Sequence, residues 1–161
     1  LLATLNHEWM PAPAPGTRLE PGAWPYELAW GAAAVPAYLD ELAARHGRPA
    51  FEVIAAHEHD LVRRILEWLA ARPDIRIIGS PEAGADRLPT VSFVSAARDP
   101  EEIVHQVDRA HVGIRHGHFY APRLVEALGL ERSKGVVRIS LAHYNTVNEV
   151  ERLLAALEQA L

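Results

Sequence analysis

The sequence predicts an α+β protein in which a small, mostly antiparallel sheet is covered by helices. Two observations carry this. Beyond residue 50, apolar residues switch between the helical period and short strand-like runs, in the order helix, strand, strand, helix, strand, short helix, strand, helix. The chain of 161 residues is 49% hydrophobic and 23% charged, which suits one globular domain with a real core.

The elements follow in order. PAPAPGTRLEPGAWP (11–25) is too rich in proline and glycine for a helix or a central strand, so it is a loop or linker. YELAWGAAAVPAYLDELAARHG (26–47) has helical spacing at Leu28, Ala32, Val35, Leu39 and Leu42. Pro36 predicts a kink or break in it, and Gly47 a stop. FEVIAAHEHDLVRRILEWLAARPD (51–74) is the clearest helix. Phe51, Ile54, Glu58, Leu61, Ile65 and Leu69 mark one face, and Pro73 ends it.

IRIIG (75–79) and TVSFV (90–94) read as strands joined by a Pro/Gly/Asp loop. Asp99 and Pro100 open a helix expected to run through His111. VGIR (112–115) and GVVRISL (135–141) are two further strands, and PRLVEALGL between them is a short helix stopped by Gly129. NTVNEVERLLAALEQAL closes the chain as an amphipathic helix. Its cap is Asn145 or Thr146, and Glu149, three residues after Thr146, completes a capping box.

A net charge of −5 gives nucleic-acid binding no electrostatic support. The apolar runs are too short to span a bilayer. The residues shown carry no cationic, apolar leader and no cysteine, and a cytoplasmic protein is expected. Without cysteine there is no disulfide, thiolate metal site or thiol nucleophile. The opening LLATLNHEWMP, with Leu1 in first place, reads like a helix joined midway, so the chain is expected to be part of a longer protein or a mature product.

Polar clusters define the candidate chemistry. HEHD (57–60) looks like half of a binuclear metal motif. It falls inside a helical pattern, where residues two apart point to different faces, so it reads as a solvated helix face. His116 and His118 have a spacing that could ligate zinc from a strand end, but no third ligand follows at a usual interval. They read as histidines of a polar turn, and no metal is expected. Arg115 and Arg138 lie on separate predicted strands. Arg138 is flanked by apolar residues in VVRISL, which calls for either a bound anion or an internal salt bridge. Its planar fork suits a carboxylate. From the residues alone, an enzyme part binding a carboxylate and a non-catalytic carboxylate-binding module both remain open.

GIRHGHFYAPRL, followed by GVVRISLAHYNTVNEVERLLAALE, resembles the C-terminal region of class V aminotransferases, and within them the cysteine desulfurases and desulfurase-like proteins. Those carry an Arg-x-Gly-His-His-Cys-Ala loop, an Arg-x-Ser-Leu strand and a Tyr-Asn-Thr helix start followed by Glu-Val. Here the loop has Arg115, Gly117, His118 and Ala121, and the strand has Arg138, Ser140 and Leu141. The helix start has Tyr144, Asn145, Thr146, Glu149 and Val150. Order and spacing agree over about forty-five residues. LEPGAWPYELAWGAAAVPAYL is similar to the family's Glu-x-Gly-Thr-Pro-Asn segment, with Glu20, Gly22, Gly31 and Tyr38 in register and Ala23 replacing the threonine. RLPTVSFV is similar to the strand that starts the small domain's sheet.

The resemblance implies the small C-terminal domain of the aspartate-aminotransferase fold over 48–161. Residues 1–47 would be the tail of the large domain, with its loop and crossing helix. It implies a pyridoxal-phosphate enzyme acting on an amino acid, whose cofactor serves as electron sink. A homodimer is implied, with Gly22 approaching the partner's cofactor phosphate. Arg138 would clamp the substrate carboxylate, with Arg115 and His118 lining the same pocket. The cofactor lysine would lie upstream. Lys134, the one lysine here, sits in an RSKG turn that does not match it, so this chain alone should not hold the cofactor covalently. The family's cysteine position is occupied by Tyr120, which removes desulfuration by that route and leaves Tyr120 to shape the pocket, bond the substrate, move a proton, or pack at the loop tip.

Overall fold

The computed structural model describes residues 25–84 and 86–161. Most of the expected 11–25 loop, with Glu20, Gly22 and Ala23, lies outside the described residues. The chain divides into two compact units between Gly47 and Arg48.

The first unit holds α1 (Tyr26–Ala33) and α2 (Val35–His46). The helical stretch breaks at Ala34, and Pro36 takes a first-turn place in α2, where no N–H is required. Gly47 ends α2 with φ 62, the left-handed conformation that favours glycine. No described residue of either helix is buried, and Trp30 is 83% exposed.

The second unit runs α3 (Ala50–Ala70), β1 (Ile75–Ile78), β2 (Thr90–Ser95), α4 (Pro100–Asp108), β3 (Arg115–Gly117), α5 (Pro122–Ala127), β4 (Val136–Ser140) and α6 (Val147–Ala160). This is the order read from the sequence. The four strands form one sheet, β1-β2-β4-β3, with every neighbouring pair antiparallel. β4 therefore inserts between β2 and β3.

Alternation along the central strands sends Val91, Phe93, Val137 and Ile139 to one face, where all are buried. They join Leu61, Ile65 and Leu69 of α3, Ile103 and Val107 of α4, and Val150, Leu153 and Leu157 of α6 in one core. Burying each such side chain is worth roughly 1.5–3 kcal/mol. Phe51 departs from expectation: it is 71% exposed. The core cluster takes in α3 only from Leu61 onward, so the first turns of this long helix run past it. His57 secures that overhang by donating from Nε2 to the Asn145 carbonyl at 2.7 Å, which ties α3 to the start of α6.

Two boundaries also differ. α4 stops at Asp108, and the chain turns at His111 with φ 56. β3 begins at Arg115 rather than Val112, because pairing with β4 starts only there. Ile114 is buried by packing on the core, not by a strand partner. The closing helix has the expected box: the Glu149 N–H donates to Thr146 Oγ1 at 3.3 Å, and the Thr146 N–H donates to Glu149 Oε2 at 2.7 Å. No helix of the described residues is long and apolar enough to cross a membrane.

Candidate functional site

The site lies on the sheet face turned away from the core. Because side chains alternate, the residues between the core positions of β2 and β4 point to this second face. The register places Ser92, Arg138 and Arg115 in one row across β2, β4 and β3. Arg138 is half-buried in the inner strand, and Arg115 is exposed on the edge strand. Arg115 donates from Nη1 to the Ile114 carbonyl at 3.3 Å.

Arg138 forms no salt bridge within the described residues. Among the described residues, no carboxylate or hydrogen-bond acceptor meets its guanidinium. Its contact is with an aromatic ring: the guanidinium carbon stands 3.8 Å from the centroid of Phe119. Stacking of this kind covers a face of the cation and leaves its N–H edge free.

Phe119 arrives from the loop after β3. Gly117 has φ 123, and Phe119 and Tyr120 follow with φ 49 and 62, both non-glycine residues in the left-handed region. The loop closes on itself: the Tyr120 N–H donates to His118 Nδ1 at 3.1 Å, and the Ala121 N–H donates to the His118 carbonyl at 2.8 Å. His118 is thus turned into its own loop, with Nδ1 as the acceptor. Tyr120, at the tip, is 99% exposed and packs on nothing described.

Beneath the loop, Gly117 and Gly135 form a bridge. A Cβ on Gly135 would overlap the Gly117 carbonyl, and its φ of 66 also favours glycine. This close approach fixes the base of the loop against the start of β4.

No group of three or more ligating side chains could hold a metal among the described residues. His116 meets His105 edge to face, with ring centroids 6.4 Å apart. Asp60 of HEHD pairs with Arg63 and Arg64, and hydrogen bonds from these two guanidiniums hold its carboxyl below the usual range.

Lys134 does not fit as an anchor for pyridoxal phosphate. A lysine that forms a Schiff base needs a neutral amine. The Lys134 ammonium lies 2.8 Å from Asp99 Oδ1 and 3.5 Å from Glu131 Oε2, and its hydrogen bond to Asp99 holds its pKa above the ordinary value. It is a structural ion pair.

Sequence reasoning named Arg138, Arg115, His118 and Tyr120 and passed over Phe119 and Ser92. Ser92 is visible only through the strand register. Phe119 had a signal, an aromatic beside two histidines and an arginine, but its target could not be read without the fold.

Comparisons with known proteins agree with this architecture. The family model for aminotransferase class-V matches residues 12–153. An aminotransferase-like protein of Gibberella zeae is 39% identical over 99% of this chain, which spans 39% of that relative. A cysteine desulfurase of Synechococcus elongatus is 34% identical over 94% of this chain, which spans 22% of it. The apo structure of a cysteine desulfurase from Thermococcus onnurineus superposes with a TM-score of 0.74 at 27% identity, covering 88% of this chain and 32% of that one. The chain thus spans about two fifths or less of the length of these relatives, and its α+β architecture is that of the aspartate-aminotransferase-like fold. The chain belongs to the class-V aminotransferase family, among its cysteine desulfurase-like members.

Proposed function

We propose that this chain forms the substrate-carboxylate side of a pyridoxal-phosphate-dependent enzyme acting on an amino acid. The observation that carries this reading is the Arg138 guanidinium, half-buried on an inner strand and free of any carboxylate among the described residues. Its N–H edge is open to a planar, bidentate acceptor. Arg115 adds positive charge on the same row, and His118 holds the loop that brings Phe119 over the site.

On this reading residues 48–161 act as the small domain, and residues 1–47 as the tail of the large domain with its crossing helix. The lysine that anchors the cofactor comes from outside the 161 residues, and Gly22 approaches the cofactor phosphate of a partner subunit in a cytoplasmic homodimer. The reaction is not desulfuration by a loop thiolate. Tyr120 stands at the thiol's place, and a phenol oxygen cannot accept sulfur as a persulfide.

The test is Arg138→Ala in the full-length enzyme, with amino-acid affinity and bound cofactor measured side by side. Cutting away one partner of a charge-assisted pair costs roughly 2–5 kcal/mol of substrate binding. Cofactor content should be unchanged. Unaltered amino-acid affinity would remove Arg138 from the site.

A further inference from the structure

The Arg138–Phe119 stack has features that a chance surface contact does not need. Phe119 and Tyr120 both adopt positive φ, where bulky residues are disfavoured. Such strain persists only where surrounding contacts over-determine it. Here those contacts are the two bonds that close the loop on His118 and the ring's seat on Arg138.

Arg138 also needs something to hold it. It has no hydrogen-bond partner among the described residues, and its register partner Arg115 carries the same charge. Like charges directly opposite repel, and a long unanchored side chain would swing away. The Phe119 ring counters this by attracting the cation to its face. With one face covered by Phe119, the N–H groups stay directed outward in the guanidinium plane, where an anion can accept from them. A carboxylate meets that edge with two in-plane oxygens.

We propose that Phe119 is a positioning residue for the substrate carboxylate: its ring sets the plane of the Arg138 guanidinium so that the fork meets the carboxylate edge-on. The proposal rests on the reading of Arg138 as the carboxylate's partner. Phe119 itself acts through Arg138.

The test uses propionate as the probe on the full-length enzyme. Phenylglyoxal modifies accessible arginines, and its rate at the Arg138 peptide is followed by mass spectrometry. Propionate should protect Arg138 in the parent enzyme. Phe119→Leu keeps apolar bulk and loses the π face. It should raise the propionate concentration for half-protection roughly three- to tenfold. Phe119→Tyr, which restores the face, should return it to within about twofold. If Phe119→Leu does not accumulate as folded protein, Phe119→Met is read in the same way. Equal protection of parent and Leu variants, or a Tyr variant as impaired as Leu, overturns the role of Phe119 alone. Failure of propionate to protect Arg138 in the parent overturns the reading of Arg138 on which it rests.

Discussion

Arg115 and Arg138 are register partners on β3 and β4, so two guanidiniums share one face of the sheet with no carboxylate between them among the described residues. Placed directly opposite, like charges destabilise a strand pair by roughly 0.2–1 kcal/mol. A fold indifferent to function would gain by neutralising one of them. An anion site gains by keeping both.

That balance gives the first prediction. Arg115→Gln should stabilise the fold by up to about 1 kcal/mol in low salt, with the gain shrinking as salt screens the pair. The same variant should raise KM for the amino-acid substrate. Urea unfolding at two ionic strengths and steady-state kinetics check the two halves. A variant less stable at low salt would show that the pair is not repulsive.

Gly135→Ala should be among the most damaging single changes in the loop. The added methyl meets the Gly117 carbonyl, and φ 66 is unfavourable to alanine, a combined cost of roughly 2–4 kcal/mol. Gly129→Ala provides the control. Its φ is 71 but nothing lies within 4 Å of its Cβ, so only the backbone cost of about 1–2 kcal/mol applies. Equal losses in the two variants would mean that the Gly117–Gly135 approach is not tight.

The capping box of α6 predicts an acid limb in the stability profile. The Thr146 N–H is the main cause holding the Glu149 carboxyl below its ordinary pKa, helped by the side chains of Asn145 and Thr146. A depressed folded pKa means that stability is present above the unfolded value and is lost as pH falls through the folded one. Glu149→Gln keeps an acceptor but does not titrate, so its stability should fall less as pH drops below the usual glutamate range. Thr146→Ala should cost about 1 kcal/mol at neutral pH. Parallel acid limbs in Glu149→Gln and the parent protein would remove Glu149 from the linkage.

Tyr120→Phe should change stability by less than roughly 0.5 kcal/mol, since the side chain is 99% exposed. With L-cysteine and a thiol reductant, the full-length enzyme should release sulfide no faster than free cofactor does. Sulfide turnover that survives in Tyr120→Phe would contradict the argument from the missing thiol.

The order of elements was legible because each carries its own period and punctuation. Pro36, Gly47, Gly129 and the Thr146–Glu149 pair mark boundaries that local chemistry alone determines. What pairing decides was not legible. Val112–Ile114 and Arg115–Gly117 exchange roles because β3 is defined by where β4 lies, and an apolar run looks alike whether it is buried by a strand or by a helix. The opposition of Arg115 and Arg138 depends on β4 inserting between β2 and β3, which no local signal announces. The Phe119 stack was hidden more deeply. It requires two successive aromatic residues with positive φ, a conformation that their side chains argue against.

The most direct measurement compares the common L-amino acids with their decarboxylated amines as ligands of the full-length enzyme and of its Arg138→Ala variant. If Arg138 reads the substrate carboxylate, the parent enzyme prefers the amino acid over its amine, and Arg138→Ala loses roughly 2–5 kcal/mol of that preference while binding the amine as before. An undiminished preference in Arg138→Ala would contradict the account.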